Sequence, residues 1–447
     1  MTHEHLSHED LYAFLRGQLP QDETKGHLQH ILHGCALCSE LIRDTLSCRG
    51  GVPEEGYSQA FLDTAHFVID KEAPLALERI AAPGLAARLL DLPWEQRRRL
   101  VASDQRYRTF GLCERLTQES RQAIWNVHSE TIIDRARCAV LVGEHIDPAA
   151  YGEPYVVDLL AFAYAALANG YRLNSQFALA RENLDTAATY LERGCGHALE
   201  SLRLTSYRAS LLATLGRFED SVELLRGRMR EAARCGDGRL HAKLLLQMGM
   251  ALSWFDPAAA LDVLREAEER VDRRDSPRLA FCARRNLVWS LNACGRSHEA
   301  LMEFHASRNL FRQFPDRWAQ LHLRWTEARL AFDLGHPEEA EAAYQRLWGQ
   351  AFELDLRLDT ALISLDMIEV QIVLGRHADA ITVARRLVDL FSAWKVHRRA
   401  MQAWALLLEA LRRHTASREL VGELALYLRR AWKNPELEFA RPATPPS

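Results

Sequence analysis

Apolar residues recur every three to four positions through most of the chain after about residue 150, and small alanines separate them at regular places. In one such stretch Ala168 precedes a polar turn at Ser175, and Ala180, Leu184 and Ala187 follow at spacings of four and three residues. Residues at these spacings share one face of an α-helix. The pattern therefore predicts two helices joined by a tight turn and packed through their small residues.

The same helix–turn–helix pattern returns at a fixed interval. Gly295, Gly335 and Gly375 stand 40 residues apart, and Gly216 lies 79 residues before Gly295. Glycine suits such turns because it adopts positive φ without a steric penalty. Repetition at a period between about 20 and 50 residues indicates stacked structural units, not a single core. We expect helix pairs of about 40 residues, roughly six in number, over residues 151–397.

These helix pairs resemble the tetratricopeptide repeat (TPR), most closely from Leu167 to Ala187. Their period exceeds the roughly 34 residues of a standard TPR, which implies longer helices. The resemblance implies an all-α fold, a TPR-like α-solenoid in which helix pairs form a right-handed superhelix. The segment from Arg99 to Cys113 and the C-terminal portion also resemble TPR proteins of uncharacterised bacterial type that carry a zinc finger.

Four further segments complete the predicted organisation. We expect a small zinc-binding helical module in residues 1–50 and a helical connector in 51–150 that leads into the array. Within the connector a helix break is expected at Pro83-Gly84. Two amphipathic stretches in 398–433 are typical of capping helices that close a repeat array. The last segment, 434–447, contains four prolines and is predicted to be disordered.

A cluster of histidines and cysteines near the N-terminus predicts a metal site. It consists of His27, His30, His33, Cys35 and Cys38. Zinc in proteins prefers four tetrahedral nitrogen and sulfur ligands, and a Cys-x2-Cys pair supplies two of them. His30 is the expected third ligand, and His5 is our choice for the fourth. The alternative, a redox pair of cysteines, usually accompanies a βαβ pattern, which the chain lacks.

From His5 to Cys38 the sequence resembles the zinc-binding anti-sigma factor domain. That resemblance implies His5, His30, Cys35 and Cys38 as the metal ligands, Zn²⁺ as the cofactor and a sigma factor as a partner. The family has three residues between its histidine and the first cysteine, whereas four separate His30 from Cys35 here. Either the helix end is re-wound, or His27 or His33 is the ligand in place of His30.

Composition limits the possible functions. The chain has 56 basic and 60 acidic residues and a net charge of −4, so it lacks the basic surplus typical of nucleic-acid binders. Without a long apolar run or a signal peptide, it is expected to be cytoplasmic, and its nine cysteines are expected to be thiols or metal ligands. No phosphate-binding, dinucleotide-binding, zinc-protease or nucleophile-elbow motif occurs, so we expect no enzymatic activity.

The first helix of each repeat lines the surface on which such arrays bind peptides or helices. Polar residues on the predicted first helices are therefore candidates for binding a protein or peptide partner. They are Asn169, Arg172, Arg208, Arg285, Asn292, Arg324 and Arg329. Arginine in such a groove can bind a carboxylate through paired hydrogen bonds. The alternative for each residue is an exposed, solubilising role.

Three functional hypotheses follow. The first is a regulator of transcription-linked signalling, in which the zinc module binds a sigma factor and the array binds another protein. The second is a structural scaffold in which zinc only folds the N-terminus, because so small a module needs a metal for stability. The third is a redox or zinc sensor that uses Cys35, Cys38 and Cys48 as switchable thiols.

Overall fold

The computed structural model describes residues 59–123, 129–194, 198–235, 237–274, 276–394, 396–432 and 437–439, together with Asp10 and Cys38. In these ranges every regular element is a helix and no strand occurs, so the all-α prediction is confirmed for them. The predicted zinc module lies outside these ranges apart from Asp10 and Cys38. No helix in the described ranges combines the length with the apolar character that a bilayer span requires.

The chain divides into two compact units. Unit 1 comprises Met1–Leu211 and Arg230–Asp237, and unit 2 comprises Leu212–Met229 and Gly238–Ser447. The helices that lie wholly in unit 1 are α1 (Gln59–Leu90), α2 (Trp94–Ser103), α3 (Phe110–Gln122), α4 (Ser129–Gly143), the short α5 (Pro148–Tyr151), α6 (Glu153–Leu173) and α7 (Phe177–Arg193). Two more helices contribute residues to both units: α8 (Ala198–Thr214) and α9 (Phe218–Arg234).

In unit 1 successive helices pack against one another around a shared apolar core. Helix α3 packs on α1 and α4, α4 packs on α6, and α6 packs on α7. The sequence predicts a helix break at Pro83-Gly84, but α1 continues through both residues. A proline inside a helix removes one hydrogen bond. Burial of Ala86 and Leu89 just beyond it holds the helix in place, so local propensity does not decide the outcome.

Unit 2 is a succession of helix pairs. Its helices are α10 (Gly238–Leu252), α11 (Pro257–Arg270), α12 (Pro277–Ala293), α13 (Ser297–Ala306), α14 (Arg308–Phe311), α15 (Arg317–Asp333), α16 (Pro337–Glu353), α17 (Arg357–Val373), α18 (His377–Ala393), α19 (Arg398–Arg412) and α20 (Arg418–Ala431). The first helices α12, α15 and α17 begin 40 residues apart. Each first helix packs on the second helix of its own pair, and each second helix packs on the next first helix.

The turns inside the pairs have the conformation that the sequence predicts. Gly295, Gly335 and Gly375 have φ of 75°, 91° and 72°, and Ser175 occupies the equivalent turn with φ of 60°. In this left-handed region a Cβ atom is strained, which explains why glycine recurs there. The amide of each turn glycine donates to a carbonyl three residues earlier, so the turn also satisfies the end of the first helix.

The last two helices differ in how they pack. Helix α19 packs on α18, as the next helix of a stacked array would, whereas α20 packs on the first helix α17 as well as on α19. Within the tail that the sequence predicts to be disordered, Leu437 and Phe439 pack against the core of unit 2. The Tyr427 hydroxyl donates to the Leu437 carbonyl at 3.1 Å. Two apolar side chains among the prolines explain this local order.

Candidate functional site

Charged and aromatic side chains of α15 and α17 lie on one surface of unit 2, which we call the first-helix face. Trp325, Arg329 and Asp333 follow one another at spacings of four on α15, so they form one stripe. Asp366 and Glu369, three residues apart on α17, lie beside that stripe. A polar stripe on the first helices is what the sequence predicts for a partner-binding groove.

Arg329 is the centre of this face. Its Nε donates to Asp333 Oδ2 at 2.9 Å, and its Nη1 donates to Glu369 Oε2 at 2.6 Å and approaches Asp366 Oδ1 at 3.4 Å. Burial alone would lower the pKa of Arg329, but Asp366 and Glu369 raise it well above its ordinary value. The guanidinium is therefore permanently charged and joins three carboxylates into one network.

Hydrogen bonds also connect the first helices of neighbouring repeats. Trp325 Nε1 donates to Asp366 Oδ2 at 2.6 Å across 41 residues of sequence. Asn292 Nδ2 donates to Asp333 Oδ2 at 2.7 Å, again 41 residues away. Both links join neighbouring first helices, so the polar face is continuous from α12 to α17.

Helix α20 contributes a further arginine to the same network. Arg418 Nε donates to Glu369 Oε1 at 2.8 Å, and its Nη2 lies 3.5 Å from Asp333 Oδ1. Its guanidinium carbon also lies 4.9 Å from the centre of the Phe332 ring. The first-helix face thus already holds a helix through charge-assisted hydrogen bonds.

An aromatic ladder extends the face towards the beginning of unit 2. The ring centres of Phe218 and Trp254 lie 6.2 Å apart, those of Trp254 and Trp289 6.3 Å, and those of Trp289 and Trp325 6.4 Å. Arg429 of α20 lies over Trp254, with 3.8 Å between its guanidinium carbon and the ring centre. That distance is typical of a cation–π contact.

Arg429 also lies among buried titratable groups. Burial lowers its pKa to about 10, while Asp366 and Asp359 oppose that shift. Burial, followed by the charges of Arg285 and Arg429, lowers the pKa of His322 well below its ordinary value. His322 is therefore neutral near pH 7, although its Nε2 lies 3.6 Å from an Asp359 carboxylate oxygen.

Asp366 should make the stability of the protein depend on pH. Burial raises its pKa from 3.8 to about 6, although Arg329 opposes the shift. Between these values the folded state binds more protons than the unfolded state, so the free energy of unfolding falls as pH rises through the window. From pH 5 to pH 7 we expect a loss of about 1–2 kcal/mol from this group, which Asp366→Asn should abolish.

Urea unfolding of the wild type and of Asp366→Asn at the two pH values measures this loss. The asparagine can still accept the hydrogen bond of Trp325, so the comparison isolates the titration. Asp389→Asn changes an exposed carboxylate of α18 and is the matched control. An identical pH dependence in wild type and Asp366→Asn would contradict the prediction.

The four candidate groove residues of unit 2 have different environments. Arg329 and Asn292 are brought together, since both bind Asp333. Arg285 is close enough to Asp359 for that carboxylate to oppose the lowering of its pKa by burial. Arg324 is exposed and lies 3.4 Å from Gln350 of the second helix α16, away from the network. Their roles in partner binding remain predictions.

The three candidates of unit 1 form a different arrangement. Asn169 is buried, and its Oδ1 accepts hydrogen bonds from Arg172 Nε at 3.0 Å and Nη2 at 2.9 Å. Burial lowers the pKa of Arg172 to about 10. Arg208 forms an ion pair with Asp185 at 3.0 Å. Each candidate therefore has a partner within unit 1 already.

The predicted zinc ligands fall largely outside the described residues. His5, His30 and Cys35 are not among them, and Cys38 is buried in a helix. In the ranges that the structure does describe, no three histidine, cysteine or acidic side chains are placed to hold a metal ion. The zinc site therefore stays a prediction.

Sequence reasoning missed the carboxylates and the role of α20. Asp333, Asp366 and Glu369 look like ordinary surface acids in the sequence. The signal that could have found them is a fixed separation close to the repeat length. Asn292 and Asp333, like Trp325 and Asp366, are separated by 41 residues, one more than the 40 between successive first helices. Nothing in the sequence alone indicates which first helix α20 contacts.

No protein-family model matches the chain, and no curated protein matches it. Solved structures do match, among them one described as "Crystal Structure of Rap Protein Complexed with Competence and Sporulation Factor". That likeness covers 78% of this chain and 87% of the other, with 12% identity and a TM-score of 0.39.

Proposed function

We propose that the protein is a non-enzymatic interaction protein whose helix pairs bind a protein or peptide partner on the first-helix face. The position of α20 on that face supports this proposal. Arg418 of α20 donates a hydrogen bond to the Glu369 carboxylate, and Arg429 lies over the indole ring of Trp254. A surface that binds one helix through charges and aromatic rings is suited to bind another. Helix pairs in series offer such a surface along several repeats.

Site-specific photo-crosslinking in the native cells tests this proposal. The crosslinking amino acid replaces Trp318, which is 38% exposed on the first helix α15, or Met302, which is 73% exposed on the second helix α13. We expect a covalent adduct with a distinct protein from position 318 and none, or a different set, from the more exposed position 302. Identical adducts from both positions, or none from either, would count against the proposal.

We propose in addition that the N-terminal residues form a zinc module that binds a sigma factor and links the protein to transcription. The support is the sequence: His5, His30, Cys35 and Cys38, with their resemblance to the anti-sigma domain. When bound, zinc would supply the crosslink that lets so short a segment fold. Thiolate and imidazole donors are the set that zinc prefers.

Metal analysis of the full-length protein checks this second proposal. We expect about one zinc ion per chain, and we expect its loss when Cys35 and Cys38 are both replaced by serine. Cys48→Ser is the matched control and should retain the metal. Single alanine variants of His27, His30 and His33 identify which histidine binds. Wild-type protein without zinc would rule the module out.

Co-purification with a sigma factor separates the alternatives. Retention by the wild type and loss in the double cysteine variant would support the transcription link. Zinc without a retained sigma factor would favour the structural role. Release of zinc by mild peroxide would favour the thiol sensor that uses Cys35, Cys38 and Cys48.

A further inference from the structure

We propose that the first-helix face of unit 2 is a binding surface for an arginine-bearing amphipathic helix, and that α20 is the segment of this chain that occupies it in the present state. This inference rests on the proposed function and names the chemistry of the partner. A partner would bind by replacing α20, whose contacts define what the face accepts.

The charges of the first-helix face and of α20 are complementary. The face carries four carboxylates, and the first helices supply two guanidinium groups to neutralise them. The carboxylates are those of Asp333, Asp359, Asp366 and Glu369, and the guanidinium groups are those of Arg285 and Arg329. His322 adds no charge near pH 7. Arg418 and Arg429 of α20 balance these charges, so without α20 the face is left with a surplus of negative charge.

Helix α20 also has an apolar side that is buried in the core of unit 2. Val421, Leu424, Leu428 and Ala431 follow at spacings of three, four and three residues, and each is at most 2% exposed. They belong to the same core as the side chains of α17 and α19. Arginines therefore flank an apolar stripe at both ends. An amphipathic helix with arginines at both ends of its apolar stripe matches the face, whereas an acidic or extended segment does not.

Helix α20 contacts or joins the rest of unit 2 at both of its ends. Residues 413–417 alone join it to α19, so α20 is tethered beside its site at an effective concentration of about a millimolar. At its other end, the backbone of Arg430 lies against the Gly216 turn. A Cβ built on Gly216 would lie 2.3 Å from Arg430 Cα. The tether and the contact with the Gly216 turn together favour α20 over an untethered helix that competes for the same face.

The first experiment cuts the tether without removing any residue. A protease recognition site is inserted between Thr415 and Ala416 of the otherwise full-length chain. The probe is a fluorescein-labelled peptide of residues 414–429, which ends before Arg430, and its binding is followed by anisotropy. Before cleavage we expect weak binding, because the tethered helix competes. After cleavage we expect the apparent affinity to rise at least about tenfold.

The second experiment uses single substitutions in the uncut chain. Gly216→Ala places a methyl group against the Arg430 backbone of α20, which the probe peptide lacks, and should let the peptide bind without cleavage. Gly375→Ala is the matched control, because its φ of 72° is the same and a Cβ there meets nothing within 4 Å. Both variants bear the cost of positive φ, so only the contact with α20 distinguishes them.

Each outcome decides the proposal. Tighter peptide binding after cleavage and in Gly216→Ala, but not in Gly375→Ala, supports it. Unchanged binding after cleavage overturns it. Equal binding of a peptide in which Arg418 and Arg429 are replaced by glutamine overturns the requirement for arginine. An uncut chain that forms dimers by exchanging α20 makes a second copy the occupant and also overturns it. The photo-crosslinks from position 318 test the proposed function independently, so the two failures are distinguishable.

Discussion

Replacement of Arg329 by methionine is expected to lower the free energy of unfolding by about 3 kcal/mol. Methionine keeps the apolar length of the side chain but leaves Asp333, Asp366 and Glu369 without their shared counter-charge. Breaking a buried ion pair by removing one partner costs about 3–5 kcal/mol. We expect the lower end of that range, because the Arg329 side chain is 22% exposed. Urea unfolding at pH 7 measures the change.

Arg324→Met is the matched control for this prediction. The same substitution on the same helix changes an exposed arginine whose described hydrogen bond is a 3.4 Å contact with Gln350. Surface changes of this kind usually stay within about 0.5 kcal/mol. Lower pH should partly restore the stability of Arg329→Met, because protonation relieves the repulsion among the carboxylates. Equal losses in the two variants would show that Arg329 does not organise the face.

Replacement of Trp404 by alanine is expected to cost about 4 kcal/mol. Trp404 is fully buried, its ring centre lies 5.4 Å from that of Phe391, and its Nε1 donates to the Ala384 carbonyl at 2.8 Å. Both partners belong to α18, so the side chain fastens α19 to the preceding repeat. Alanine leaves a large cavity and an unpaired carbonyl. Thermal and urea unfolding both measure the loss.

Two controls separate packing from hydrogen bonding at this position. Leu406→Ala removes a large side chain that is 37% exposed two residues further along α19, and should cost well under half as much. Trp404→Phe keeps a ring and loses the hydrogen bond, for which we expect about 1–2 kcal/mol. A full-size loss in Leu406→Ala would mean that α19 is held by its whole length and not by Trp404.

Much of the fold of unit 2 could be predicted from the sequence, because residues close together in the chain determine each helix and turn of the repeat. Turn glycines at a fixed period require positive φ, and alanines at spacings of three and four require close helix contacts. Three successive pairs begin 40 residues apart, as the period of Gly295, Gly335 and Gly375 indicates. Helix α1 was harder to predict. Pro83 favours a helix break, but the burial of Ala86 and Leu89 beyond it stabilises the continuous helix.

The candidate site could be predicted only in part. Arg324 and Arg329 look equivalent in the sequence, yet five residues of helix separate them by about 140° around the axis. One therefore lies in the network of the first-helix face and the other is exposed near Gln350. The position of α20 depends on contacts between Arg418 and carboxylates 49 and 85 residues away. No local pattern encodes pairings over such distances.

The aromatic ladder of Phe218, Trp254, Trp289 and Trp325 gives the protein an optical property. Indoles at centre-to-centre distances of 6.3 and 6.4 Å, held at fixed tilts of 60° and 80°, couple their electronic transitions. Their near-ultraviolet circular dichroism therefore reports how well successive repeats are aligned. Trp254 has a guanidinium 3.8 Å from its ring centre, and its emission should shift when that cation leaves. The release of α20 that we propose can thus be followed by the intrinsic fluorescence of the chain, without any attached dye.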